Sequence, residues 1–155
     1  MTADIRYLLD TNICIYIRRE RPKAVLERFK TLTPGVTAIS VVTYGELIYG
    51  VHRSSNPDRA MMVLEELTAL IPVLPMAVDV AKAYGVIRSD LAVRGELIGN
   101  NDLWIAAHAR SLGLTLITNN ERDFQRVADL NVENWAKGEF SRGLDPLVPS
   151  QAHST

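Results

Sequence analysis

Cysteine is almost absent from this chain. Among 155 residues there is one, Cys14, so no disulfide can close within the chain, and the composition fits a reducing cytoplasm. Cys14 lies in an apolar stretch with Ile13, Ile15 and Ile17, which marks it as a small core residue. Histidine is nearly as scarce. Of the three, His52 and His108 have the spacing of helix-face residues and His153 falls near the C-terminus, so zinc ligation by nitrogen and sulfur is not expected. Long apolar runs are missing too: no stretch approaches the roughly 20 residues of a membrane span. Asp4 and Arg6 stand before the first short apolar run, which is not the pattern of a signal peptide. Neither sign of charge is in surplus. With 17 basic and 18 acidic residues the net charge is −1, which excludes attachment to nucleic acid through bulk charge but leaves room for local basic clusters. Arg18, Arg19, Arg21 and Lys23 form one such cluster. Arg53 with Arg59, Arg88 with Arg94, and Arg122 with Arg126 are looser pairs, each readable as a solvated helix face.

What is present is ordinary for a globular protein. Apolar residues make up 47 % and charged residues 23 %, in a length suited to one domain with one core. Strand and helix signals alternate along it. Ile5–Leu9 reads as a strand, Thr11–Arg18 as a short helix, and Pro22 opens a second helix continued by Ala24–Lys30. Val36–Ile39 is a short strand, and Ser40 caps a helix reaching about His52. Asn56-Pro57-Asp58 breaks the chain and starts a helix through Leu70. Ile71–Leu74, bracketed by Pro72 and Pro75, is a strand that should be short or at an edge. After Met76, the residues Val80, Ala83, Tyr84, Ile87 and Leu91 form one apolar stripe of a helix ended by Gly95. Asn100 or Asn101 caps the next helix, which Gly113 ends. Leu114–Thr118 is a fourth strand, Asn119–Asp123 its following loop, and Leu130–Val132 a fifth strand. Such alternation implies a parallel sheet with helices on both faces. The domain is expected over residues 1–136, with 137–155 a tail whose last residues, Ser150–Thr155, are disordered.

Within this frame, four acids fall at comparable places. Asp10 closes the run Tyr7-Leu8-Leu9 at the carboxyl end of the first strand, where open α/β sheets bind ligands. Glu46 sits in the first turns of its helix, and Asp102 opens a buried helix after Gly99-Asn100-Asn101, with Gly99 allowing close backbone approach. Asp123 lies in the loop that leaves the fourth strand. Each has a bland alternative as a helix cap or dipole partner. Four carboxylates at one rim, however, repel one another, and cations relieve that repulsion. Oxygen-only ligands favour magnesium or manganese over zinc, and the chemistry suggested is hydrolysis of phosphate esters.

At these residues the sequence resembles the PIN-domain ribonucleases, and among them the VapC toxins of bacterial toxin–antitoxin pairs. The matching segments are Tyr7–Asn12, Ile39–Gly50, Ile98–Ala109 and Leu116–Phe124. The resemblance implies a PIN-like α/β/α sandwich with a central parallel sheet of four or five strands, a homodimer, and a magnesium-dependent endoribonuclease in which Mn2+ substitutes for Mg2+. Asp10, Glu46 and Asp102 match the three core acids; Asp10 and Asp102 would bind the metal directly and Glu46 directly or through water. The fourth position is open: Asn120 stands where many PIN domains carry an acid, and Asp123 matches an acid three residues later that is typical of VapC-like members. Thr11 and Ser40 match small polar positions that support the site, and Asn12 and Asn119 lie beside them. The implied substrate is a structured RNA such as tRNA or rRNA, cut in a single-stranded segment to leave a 5′-phosphate and a 3′-hydroxyl. The implied partner is a small VapB-like antitoxin that alone carries operator-DNA binding. Its C-terminal segment would lie across the cleft, with a cation near the acids and an apolar anchor in a groove near Ile13 and Leu47.

Two other classes compete. A phosphoaspartate phosphatase or receiver domain also places an Asp after the first strand. The phosphatase needs a second Asp where this chain has Asn12, and the receiver needs an early acidic pair and a late Lys that are not found. A PIN-like RNA-binding scaffold would have lost its acids, and three of the four are intact.

Overall fold

The structure, a computed structural model, describes residues 4–137. The elements follow one another as β1 (Tyr7–Leu9), α1 (Thr11–Arg19), α2 (Lys23–Lys30), β2 (Thr37–Ser40), α3 (Val41–His52), α4 (Pro57–Leu70) and β3 (Val73–Leu74). Then come α5 (Val78–Val93), α6 (Asn100–Leu112), β4 (Thr115–Ile117), α7 (Glu121–Phe124) and β5 (Asn131–Glu133), closed by a 3-10 turn at Trp135–Lys137. The strands form one parallel five-stranded sheet in the order β3-β2-β1-β4-β5. The pattern β2-β1-β4 means that the chain leaves the central strand β1 in one direction and returns on its other side, which creates a topological switch point beside β1.

The strands are short and apolar because both faces are covered. Alternation of side chains along β1 sends Tyr7 and Leu9 into one layer and Leu8 into the other. The first layer packs Ile13 and Ile17 of α1, Val25 of α2, Leu47 and Val51 of α3 and Leu64 and Leu67 of α4. The second packs Val80, Ile87 and Leu91 of α5 with Leu103, Ile105, Ala106 and Ala109 of α6 and Phe124 of α7. The expected stripe on α5 is therefore its buried face. Cys14 is a wholly buried core residue, its thiol pushed up by burial.

Several boundaries differ from expectation, each for a local reason. Neither Asn100 nor Asn101 caps α6. Gly99 is the N-cap, without a side-chain hydrogen bond, and both asparagines are helical. Gly99 has φ −57°, and an added Cβ would meet Asp102 Oδ2 at an ordinary 3.8 Å, so close backbone approach does not require a glycine there. The expected loop after β4 becomes helix at Glu121, placing Asp123 on α7. Glu46 is, as expected, in the first turns of α3, in the second rather than the first. β3 is a two-residue edge strand, consistent with its flanking prolines. The expected tail begins at a residue, Lys137, that still belongs to the 3-10 turn; the disorder expected at Ser150–Thr155 falls outside the described residues.

Trp135 had no assigned role in the sequence. It is fully buried, meets Tyr7 edge-on at 5.6 Å between ring centroids, and lies under the Arg28 guanidinium at 5.8 Å. Its indole N–H donates to Glu133 Oε1 at 3.2 Å, so the ring is buried without an orphaned donor. Trp135→Ala should cost about 3–5 kcal/mol of stability, measured by urea denaturation, because the cavity would open against the central strand.

Candidate active site

The last register pair between the two central strands is Leu9 with Ile117, so Asp10 and Thr118 leave the sheet side by side at its carboxyl end. Asp10 N–H still donates to the Ile117 carbonyl at 2.9 Å, which anchors the strand end. The Asp10 side chain then turns over the start of α1. Its Oδ1 accepts from the backbone N–H of Asn12 at 3.0 Å and of Ile13 at 3.3 Å, the geometry of an N-cap. Its Oδ2 accepts from the Thr118 hydroxyl at 2.5 Å. The capping role and a site role are therefore compatible: one oxygen caps, the other faces β4. Thr118 is fully buried and its oxygen also accepts from Asn120 N–H at 2.9 Å. Thr118 is a site residue that the motifs do not mark; its one local signal is a hydroxyl at the end of the strand flanking Asp10.

Glu46 reaches the same rim from α3. Its Oε1 accepts from the Thr11 hydroxyl at 2.6 Å and its Oε2 from the Asn101 amide at 3.4 Å. Thr11 thus touches an acid, while Asn101, expected only as a cap, bridges from α6. Asp102 stands half-buried in the first turn of α6. Burial pushes the Asp102 carboxyl up to about 6, and the charges of Asp10, Glu46 and Asp123 add to that rise. Asp10 is likewise raised. Burial outweighs the hydrogen bonds from Thr118, Ile13 and Asn12 that favour its ionised form, and Glu46 adds repulsion.

Asp123 occupies the edge of this group. One oxygen accepts from the Asn120 amide at 3.1 Å and the other pairs with Arg126 at 3.6 Å. Arg126 also donates to the Glu96 and Leu97 carbonyls, tying α7 to the connection before α6. Asn12 and Asn119 form a rim outside Asp10, with the Asn12 amide donating to Asn119 Oδ1 at 3.4 Å and the Asn119 amide to the Tyr16 hydroxyl at 2.6 Å. Ser40 caps α3, and among the described residues its hydroxyl bonds to none of the acids. Its hydroxyl accepts from Val42 N–H at 3.1 Å and lies 2.9 Å from Nδ1 of the buried His108, whose imidazole burial drives toward the neutral form. Ile13 and Leu47, near which an apolar groove is expected, are themselves core residues, 0 % and 7 % exposed.

Among the described residues no group of three or more His, Cys, Asp or Glu side chains is already arranged to hold an ion. The donor set nevertheless suits a hard divalent cation. It is all oxygen, it lies at the switch point, and two of its carboxyls are raised by crowding as well as burial, the imbalance a cation would relieve. Asp10, Glu46 and Asp102 are the residues that could hold it.

A parallel β3-β2-β1-β4-β5 sheet with carboxylates converging at the end of its central strand defines a hydrolase-like acidic site of the α/β class. The chain belongs to the PIN-domain family, whose pattern matches residues 7–130. Within that family its relatives are VapC proteins. It is 43 % identical over 131 residues to Ribonuclease VapC2 of Haemophilus influenzae, covering 84 % of this chain and 98 % of that protein. It is 44 % identical over 132 residues to the tRNA(fMet)-specific endonuclease VapC of Shigella flexneri, covering 85 % and 99 %. The fold superposes with a TM-score of 0.79 and 35 % identity on a chain of VapBC2 from Rickettsia felis, solved bound to a DNA fragment from its promoter, over 84 % of this chain and 99 % of that one.

Two outcomes follow from the geometry. Because the Asp102 carboxyl is raised from 3.8 to about 6, its contribution to stability is present at low pH and is lost as pH rises through about 6. In EDTA, Asp102→Asn should therefore gain melting temperature over the wild type as pH is raised from about 4 to about 7; a difference that stays constant contradicts it. Asp123→Ala should reduce RNA cleavage more than Asn120→Ala, since an amide can hold a water or a metal but cannot act as a base. The opposite ranking, on one RNA, moves the fourth site position to Asn120.

Proposed function

We propose that this chain is a magnesium-dependent endoribonuclease, the toxin half of a type II toxin–antitoxin pair, with Asp10, Glu46 and Asp102 holding the cation and Asp123 completing the site. The observation that carries this reading is that Glu46 is hydrogen-bonded to Thr11, the neighbour of Asp10, and to Asn101, the neighbour of Asp102, so that α1, α3 and α6 bring these acids to one rim. A divalent cation bound there supplies charge neutralisation for a phosphodiester and lowers the pKa of an attacking water. The chain's own residues do the positioning. Thr118 and the first N–H groups of α1 fix the Asp10 carboxylate, and Thr11 and Asn101 fix that of Glu46. Mn2+ should replace Mg2+, since both take oxygen ligands.

The substrate is a structured RNA with an exposed single-stranded segment, which can be splayed into a cleft. The relative named as a tRNA(fMet)-specific endonuclease favours tRNA over rRNA. The partner is a small VapB-like antitoxin, as the VapBC2 complex suggests, and operator DNA is bound only through it. A Lys or Arg of the antitoxin near the acids would satisfy the carboxylates and take the place of the cation. A homodimer in the cytoplasm is the expected assembly. No helix among the described residues is long and apolar enough to cross a membrane.

Cleavage of tRNA should be abolished by EDTA and restored by Mg2+. Asp10→Asn should keep its circular dichroism spectrum and lose cleavage by about 10²–10³-fold, the scale of losing one preorganised charge at a transition state. A folded Asp10→Asn protein that cleaves as the wild type does overturns the assignment.

A further inference from the structure

The exposed face of α1 carries a polar row that starts at the acidic site and ends in cations. Asn12, Tyr16 and Arg19 share one face at spacings of four and three residues. Asn119, from the connection after β4, lies against the first two through its amide. Beyond Arg19 the chain turns through Glu20, which has a left-handed backbone at φ 59°, and presents Arg21 and Lys23. Arg18, Arg19, Arg21 and Lys23 are all exposed. Among the described residues none of the four is in an ion pair, whereas Arg94, Arg126, Lys82 and Lys137 each pair with an acid. Four further arginines lie over rings: Arg6 over Tyr7, Arg28 over Trp135, Arg53 over Tyr49 and Arg88 over Tyr84. The nine residues of α1 place this cluster about 13 Å from the capping Asp10.

We infer that this face is the track along which one arm of the RNA leaves the cleavage site, with Asn12, Tyr16 and Asn119 meeting ribose and base and Arg19, Arg21 and Lys23 meeting phosphates. The inference rests on the endoribonuclease reading. A chain of net charge −1, with carboxylates crowded at its site, repels a polyanion unless cations are concentrated nearby. The row also fits RNA better than an acidic peptide. Amides and a phenol both donate and accept, as a 2′-hydroxyl requires, and a phenol ring can stack on an unpaired base.

The test uses the full chain carrying Asp10→Asn, with labelled polyuridylate as the binding probe across a salt series. R19Q/R21Q/K23Q should weaken binding and flatten the slope of log K against log salt by about 2, three phosphate contacts on a single strand. R21Q/K23Q, which leaves α1 intact, should flatten it by about 1. In the cleaving chain, with bulk tRNA, the triple variant should raise KM and leave kcat unchanged, and R19K/R21K should keep the wild-type KM. An unchanged salt slope in both variants overturns the track, while cleavage by the wild type keeps the nuclease reading. Loss of antitoxin binding with RNA binding intact overturns it in favour of an acidic protein segment. A wild type that cleaves no RNA overturns both.

Discussion

The carboxylate of Asp10 is the constraint on which the rest of this structure depends. It is 6 % exposed, at the end of a strand whose three residues are all buried, and it is held by two backbone N–H groups and one hydroxyl. A carboxylate in that position is costly unless it is bonded or neutralised. The hydrogen bonds do two jobs at once: they start α1 and they stitch β1 to the end of β4. The fold cannot place β1 centrally, with β4 beside it, without bringing Thr118 to Asp10.

The bonds do not fully compensate. Burial still leaves Asp10 and Asp102 with raised carboxyls, and neighbouring acids add to the imbalance. The protein thus keeps a group of charges that its own hydrogen bonds hold in place without neutralising. Function and stability conflict here, as expected where acids are gathered for chemistry. The same deficit is one that a cation or a basic side chain brought to the acids would relieve. It also explains why the basic residues of a nearly neutral chain matter more by position than by number.

Much of this was legible in the residues. A parallel sheet covered on both faces could be anticipated from the alternation of strand and helix signals, and the position of Asp10 from the apolar run it closes. The short edge strand was legible because two prolines bracket it. What escaped was long-range. Thr118 becomes part of the site only through the Leu9–Ile117 register. Asn101 looked like a cap because capping is a local preference, yet its amide reaches Glu46 across 55 residues. Ser40 did cap α3, but its hydroxyl is also committed to His108, a pairing that spacing alone cannot reveal. Trp135 was invisible because nothing local marks a ring that closes the core against the first strand.

The most direct test of the central claim is a crystal of the full chain grown with Mn2+, with anomalous scattering collected to locate the ion. The account predicts a peak at coordination distance, about 2.0–2.4 Å, from carboxylate oxygens of Asp10 and Asp102, with Glu46 bound directly or through one water and the Thr118–Asp10 hydrogen bond retained. A fully occupied peak away from these acids, or none at saturating Mn2+ with the carboxylates unmoved, would contradict it.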